Sequence, residues 1–541
     1  MNKKKKSIDL FSKIQQGGMA GAPPLIFVLI LSLCALFTFT IADVFASIDC
    51  GSSGSYQDEN LIQWSGDDAY INTGESRSVQ SNGSISQVMS TLRVFTSRRK
   101  NCYNIGGIRM GRILVRASFY YGNYDGKSTP PSFDLQFDGN HWTSVTTSST
   151  EYVSYEVIYG MKKNNISICV AQTRADEFPF MSALEVRSLE SNMYTFLING
   201  TYPLFLLKRV AYAANSTIRY PNDAYDRIWT PEPAGPGFVE LHGGNVISNP
   251  GWMDIPPPLA LKSAITPINR NATTMVLDTG FPPVASVYLT FYFSEVTRLP
   301  PGQNRTLKIS MNDSVFSEEF SPPFGNFSEY SASNFTVSPN YKVSLVPANY
   351  STLPPLINAM EVYSIGDLIT NGTYVADVTG LASLQKSFDV LQSWSGDPCL
   401  PSSYPWDWIN CSSDSVPRVT ALFLGSFGLS GLLPNFSSMD QLETIDFHNN
   451  SLRGPIPAFL GALPNLKQLN LADNKFNGSI PPSLSQKKGL NIITTGNALC
   501  PSDKPCLVSA SNDWRRRYNS LPIVLGITIM SFILVLDTRS C

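Results

Sequence analysis

The sequence predicts a mainly β chain: two tandem sandwich-like modules, a short α/β solenoid, and an apolar C-terminal segment. From residue 47 to 365, apolar and polar residues alternate through runs rich in Tyr, Phe, Val and Thr, with frequent Gly, Pro and Asn between them. That is the period of strands, not helices. Within this stretch residues 179–186 (PFMSALEV) are echoed by 355–362 (PLINAMEV) at an offset of 176, and Phe119 by Phe291 at 172, which indicates a duplication. After residue 440 the pattern changes to a repeat of 24: Leu442, Ile445, Phe447, Asn450, Leu452, Gly454, Ile456 and Pro457 return as Leu466, Leu469, Leu471, Asn474, Phe476, Gly478, Ile480 and Pro481. A fixed period of this length, with apolar positions at the strand and an Asn at the turn, is the signature of a solenoid.

The N-terminus carries Lys3 to Lys6, then an apolar run over 25–41, then Val44-Phe45-Ala46. This reads as a secretory signal over 1–46 with cleavage near Ala46, the alternative being an uncleaved signal anchor; both send the chain into the secretory pathway. Fifteen N-x-S/T sequons accompany it: Asn82, Asn165, Asn199, Asn215, Asn271, Asn304, Asn312, Asn326, Asn334, Asn349, Asn371, Asn410, Asn435, Asn449 and Asn477. Seven of them fall between Asn271 and Asn371, so a heavily glycosylated outer surface is expected. In an oxidising compartment cysteines form disulfides. Cys399 and Cys411 flank the start of the repeats and Cys500 and Cys506 follow them, so each pair is expected to staple one end of the solenoid. The pairing among Cys50, Cys102 and Cys169 stays open, with Cys102 to Cys169 the expected bridge.

The clearest strands are 113–121 (ILVRASFYY) and 287–293 (VYLTFYF), each followed by a second extended run, 132–137 and 306–311. The two modules are assigned to 47–215 and 216–370. A short amphipathic helix is predicted over 377–394 from Val378, Leu381, Leu384, Phe388 and Leu391, within a linker and N-terminal cap at 371–418. The repeats and their C-terminal cap occupy 419–506. A less regular unit (Val419, Leu422, Leu424, Leu429, Gly431, Leu433 and Pro434, with Phe427 in place of the Asn) precedes the clean pair, and a degenerate one follows at 490–500, so about three units are expected. The apolar run at 521–536 is roughly 24 Å as a helix against the ~30 Å of a bilayer core. Arg515 to Arg517 lie on its N-terminal side, contrary to the positive-inside rule. It is read as a transmembrane or anchor segment, either a truncated span or a lipid-anchor signal with small residues at 509–511.

Several segments together resemble the plant malectin-like ectodomain: 47–51 (SIDCG), 93–95 (RVF) with 101–103 (NCY), 114–119 (LVRASF) with 121–126 (YGNYDG), 223–229 (DAYDRIW) and 353–359 (LPPLINA). Residues 394–399 (WSGDPC), with Trp406 and Cys411, look like the junction that joins such a domain to leucine-rich repeats. The resemblance covers about 47–506. It implies two tandem malectin-like β-sandwich modules followed by a short leucine-rich-repeat solenoid, a cell-surface location and a role in recognition or signalling. No kinase motif follows the apolar tail in this sequence, so the expectation is a receptor-like protein that recognises a cell-wall glycan or a secreted peptide at the plasma membrane and acts through a partner receptor kinase. The alternative is a secreted or anchored lectin acting alone.

Sugar recognition combines aromatic faces with carboxylates and amides. Distant resemblance to animal malectin therefore singles out Tyr120, Tyr121, Tyr124 and Asp125 in the first module, and Tyr292, Phe293 and Glu295 in the second. Asp223 to Trp229 is read as an inter-module linker. On the repeats Glu443, Thr444, Asp446, His448, Lys467, Gln468, Asn470 and Ala472 are predicted to face outward. Near-neutral charge, 40 basic against 42 acidic residues, argues against nucleic acid. Three scattered histidines argue against a catalytic metal or a His-based triad, and no carboxylate pair can be assigned to a common cleft, so neither cofactor nor enzyme activity is expected.

Overall fold

The computed structural model describes residues 44–80, 85–195, 201–244, 254–269 and 274–500. The leader before residue 44, the apolar run at 521–536, Cys506 and the sequons Asn82, Asn199 and Asn271 lie outside them.

The same strand order occurs twice. In the first module it is Phe45–Asp49, Ala183–Leu189, Arg112–Phe119, Val153–Gly160; in the second, Leu204–Tyr212, Ala359–Ile365, Ala285–Phe293, Ser328–Val337. The last strand of the first set pairs with the first of the second through Val157↔Phe205 and Ile158↔Leu204, so the modules share one continuous 11-stranded sheet. One face of that sheet carries two cores. Ile113, Val115, Ala117 and Phe119 enter the first, and Val287, Leu289, Phe291 and Phe293 the second. A four-stranded sheet closes each sandwich: Lys100–Gly106, Asn165–Gln172, Ser132–Phe137 and Asn140–Thr146 over the first, Met275–Leu277, Val343–Pro347, Leu307–Met311 and Ser314–Val315 over the second.

The ladders refine the duplication. Ala183 lies opposite Ser118 and Ala359 opposite Tyr292, so a strand offset by 176 pairs with one offset by 174, and Phe293, not Phe291, is the counterpart of Phe119. A slip of two residues keeps the side chain on the same face, which is why either Phe satisfied the pattern. The second module's ladder also begins at Leu204, ahead of residue 216. A bulge between Leu206 and Lys208 then shifts the alternation by one residue, so that Phe205 packs on the first core while Val210 and Tyr212, on the same face of the sheet, enter the second.

The strand Phe45–Asp49 includes two residues before the expected mature start, and the Phe45 ring lies under Arg187 at 3.9 Å. Cys102 is bonded to Cys169 and Cys399 to Cys411, while Cys50 is a buried free thiol. The predicted cap helix runs Val375–Ser387 and stops where Phe388 turns extended (φ −131°, ψ 106°); a short 3-10 turn, Asp389–Leu391, follows. Among the described residues four parallel strands form the solenoid, Val419–Phe423, Thr444–Asp446, Gln468–Asn470 and Asn491–Ile493, supplied by the irregular unit, the clean pair and the degenerate unit at 490–500. The degenerate rung is held by Asn497, whose amide donates to Leu471 O (2.8 Å) and accepts from Phe476 N (2.9 Å).

Candidate functional site

The other face of the shared sheet carries a buried polar layer. Arg209 reaches both modules at once: its guanidinium meets Glu156 of the first (2.5 Å), and Glu361 (2.6 Å) and the Tyr363 hydroxyl (2.6 Å) of the second. Arg116 bridges Glu156 (2.9 Å) and Glu185 (3.1 Å), and Arg187 bridges Glu185 (2.9 Å) and Asp226 (2.7 Å). The 223–229 segment supplies the lid. Asp226 lies in this network, and Arg227 pairs with Asp223 (2.9 Å) and donates to the Asp254 carbonyl (2.6 Å). Burial alone would raise Glu156 and Glu361, but the adjoining Arg209, with Arg116 and Arg227 respectively, holds both below the usual carboxylate range. At Asp254 and Glu329 hydrogen bonds and the Arg227 charge offset burial only in part. Burial raises Asp254 to about 6 and Glu329 to about 8, each reinforced by neighbouring carboxylates.

This layer accounts for the second-module candidates. Tyr292 is fully buried in it and donates to Glu361 (2.8 Å); Phe293 is fully buried in the core; Glu295 is 3% exposed and paired with Arg305 (2.9 Å). Burial removes all three from any ligand surface, a correction to the sequence reading. Its cause is that the strand Ala285–Phe293 is covered on both faces, one by apolar core and one by the polar layer. In the first module Tyr120 packs with Ile62 and Trp64, and Tyr121 is buried with its hydroxyl on Asp125 (2.5 Å). Tyr124 is half-buried, its ring 5.5 Å from Tyr121 and 5.7 Å from Phe180; of the four candidates Asp125 alone is exposed. In the second module the loops at one sandwich end bring together what sequence reading missed: Phe281 and Tyr341, edge-to-face at 6.0 Å, with Asp278, Asp313 and Lys342 along one groove. The spacing of these loops in sequence gave no signal of their convergence.

The solenoid cap docks on the first module, although the second immediately precedes it in sequence. Arg98 donates to Ser393 (2.8 and 2.6 Å) and lies 4.2 Å over Trp394, and Lys100 donates to the carbonyls of Asp397 (2.7 Å) and Leu400 (3.1 Å). Tyr404 donates to Asp134 (3.0 Å). Asp397 organises the junction itself, accepting from the backbone N–H of Thr373 (2.9 Å), Cys399 (3.1 Å) and Leu400 (3.0 Å). Burial lowers the Lys100 ammonium to about 8.

The family model of the malectin-like domain matches residues 48–365, and that of the leucine-rich repeat matches 441–463 and 465–486. The chain belongs to the malectin-like family. A Probable LRR receptor-like serine/threonine-protein kinase of Arabidopsis thaliana is 35% identical over 439 residues, covering 77% of this chain and 50% of its own length. The Arabidopsis kinase MEE39 is 31% identical over 420 residues, 74% of this chain and 47% of its own. The chain thus spans about half the length of the curated relatives it matches. Among solved structures, the ANXUR1 extracellular domain of Arabidopsis thaliana aligns with a TM-score of 0.50 at 18% identity over 60% of this chain and 97% of its own. The plant receptor-like kinase ANX2 gives 0.51 at 16% identity, with the same coverage. These likenesses are of fold.

Beside the malectin-like modules, the leucine-rich repeats present one open strand face. Phe423, Asp446, Asn470 and Ile493 stand in register across it, and the two apolar ends are 41% and 42% exposed. Of the residues predicted to face outward, Glu443, Lys467 and Gln468 are exposed, Thr444, Asp446, His448 and Asn470 are partly so, and Ala472 is buried. Among described residues no helix is long and apolar enough to cross a membrane.

Proposed function

We propose that this malectin-like chain is the sensing part of a plant cell-surface receptor: it recognises a cell-wall carbohydrate or a secreted peptide outside the cell and acts through a partner receptor kinase. The observation that most supports this is the joint between modules and solenoid. Two sandwiches share one sheet, and the solenoid cap is bonded back onto the first, so a ligand surface and the solenoid face are held in one frame. Ligand contact is assigned to the exposed sandwich-end groove of Phe281, Tyr341, Asp278 and Asp313, and to Asp125 with the Tyr124 edge. The mixture of aromatic rings and carboxylates suits carbohydrate hydroxyls or a basic peptide. The open face of Phe423 and Ile493 is assigned to the partner.

The test uses the secreted full chain, screened against cell-wall oligosaccharides and secreted peptides by calorimetry, followed by Tyr341→Ala with Asp313→Ala. Loss of at least about tenfold in affinity, roughly 1.4 kcal/mol, is expected for a groove that makes the contact. Unchanged binding in the double variant would move the ligand elsewhere. Sugar binding with no kinase recovered on the wild-type protein, and no difference for Phe423→Asp, would favour a lectin acting alone.

A further inference from the structure

The joint between the first module and the cap holds a crevice of about 180 Å³, and two sequon asparagines from different segments, Asn165 and Asn371, are among the residues that line it. Asn165 opens the strand Asn165–Gln172 of the first module. Asn371 sits in the segment that returns from the second module to the cap. Their amides are set up alike: each is exposed, and neither Nδ2 makes a hydrogen bond among the described residues. The Asn371 amide is also oriented. Its Oδ1 accepts from Lys162 (2.8 Å), whose ammonium is fixed by the carbonyls of Ile369 (2.7 Å) and Thr370 (3.1 Å), leaving the nitrogen that would carry a sugar free. Not every sequon is like this, since Nδ2 of Asn449 is engaged by Ser426 (3.0 Å).

The lining suits an N-acetylated sugar. Ile369 and Val378 offer apolar contact for an acetyl methyl, while Asn104 and the Lys163 ammonium line the same crevice and suit its hydroxyl and amide groups. We infer that this crevice is the seat of the chain's own glycan: the proximal N-acetylglucosamine on Asn371 occupies it, and the glycan on Asn165 closes it from the first module. The joint is then sealed by carbohydrate, not open to an external ligand. The inference rests on passage of the chain through the secretory pathway.

The test takes the full chain secreted from cells that add no core α1,3-fucose, with each sequon followed by glycopeptide mass spectrometry. Asn165 and Asn371 should be occupied. On the native protein, peptide:N-glycosidase F, which must reach the bond to the asparagine, should act on Asn371 at least about tenfold more slowly than on Asn435, an exposed site on the first repeat, because release waits on local opening of the joint. Denaturation should abolish the difference. Asn371→Gln should raise hydrogen exchange across 369–373, and Asn435→Gln should not. Empty Asn371 with filled Asn435, or equal native release at the two, overturns the inference and leaves the secretory reading standing. Absence of glycan at every sequon overturns both.

Discussion

Gly396 lies against the sulfur of Cys102: a Cβ on it would stand 2.4 Å from that Sγ and 3.0 Å from the Sγ of Cys169. The 394–399 segment can therefore close on the first module only because residue 396 has no side chain, and its φ of +76° needs glycine as well. Gly396→Ala is expected to cost about 1–3 kcal/mol through overpacking at the joint. The melting temperature of the secreted chain should fall, and proteolysis should rise in the 366–373 linker. Gly54→Ala, where nothing lies within 4 Å, is the control. Equal melting temperatures for the two variants would show that the joint does not depend on this contact.

Arg209 bonds to a carboxylate of each module, Glu156 and Glu361. Arg209→Met strands Glu156 and Glu361 with fewer cations in a layer from which water is excluded, so a loss of about 3–5 kcal/mol is expected. Arg209→Lys should recover little, because one ammonium cannot reproduce a fork that reaches two carboxylates and the Tyr363 hydroxyl. Urea denaturation of the three proteins measures this. A lysine variant as stable as wild type would mean that charge alone is sufficient.

The tandem modules and the repeats were legible in the sequence because each leaves a periodic trace: alternation along strands, and an Asn every 24 residues whose amide caps three carbonyls. Asn450 meets Leu424, Phe447 and His448 in this way. The fourth rung was harder to read because Ile492 and Asn497 stand at shorter spacing than the clean pair. What the sequence did not carry was how the modules meet. Alternation marks Tyr292 as lying on the face opposite Phe293, but not that the opposite face is buried too; that follows from the shared sheet and the Asp223–Trp229 lid, which are contacts distant along the chain. For the same reason Asp278, Asp313 and Tyr341 could not be grouped before the loops were placed.

Stability should fall as pH rises from about 4 to 8. Asp254 and Glu329 adjoin, with the Asp254 N–H donating to Glu329 (3.2 Å), and burial raises them to about 6 and about 8. The folded chain therefore holds protons that the unfolded chain releases near pH 4; this stabilisation is complete below that pH and is lost as each carboxyl ionises, at about 1.4 kcal/mol per pH unit per proton. Glu156, Glu361 and Asp226 are shifted downward, so their contribution is lost only in stronger acid. Glu329→Gln keeps an acceptor for the Asp254 N–H but cannot titrate, and it should flatten the upper part of the curve. A pH profile identical to wild type would place the protons elsewhere.

The solenoid should fail from its middle. Asn474 is 6% exposed; its Nδ2 donates to Phe447 (2.8 Å), Leu471 (3.3 Å) and Ala472 (3.1 Å), and its Oδ1 accepts from Leu452 N (3.0 Å). Asn474→Ala leaves those backbone groups without partners, at a cost of about 1–3 kcal/mol. Asn474→Asp keeps the acceptor but turns a charge toward three carbonyls, and should cost more. Rungs interact only with their neighbours, so the loss should be local in a particular way. Hydrogen exchange should rise in Gln468–Asn470 and in Asn491–Ile493 paired with it, while the cap helix Val375–Ser387, which packs on the first rung with Asp377 bonded to Arg418 and Val419, keeps its protection. Asn497→Ala, at the last rung, should expose less than Asn474→Ala. If both variants loosen the cap equally, the solenoid and its cap unfold as one unit, and the frame proposed to hold ligand surface and partner face together has no separable parts.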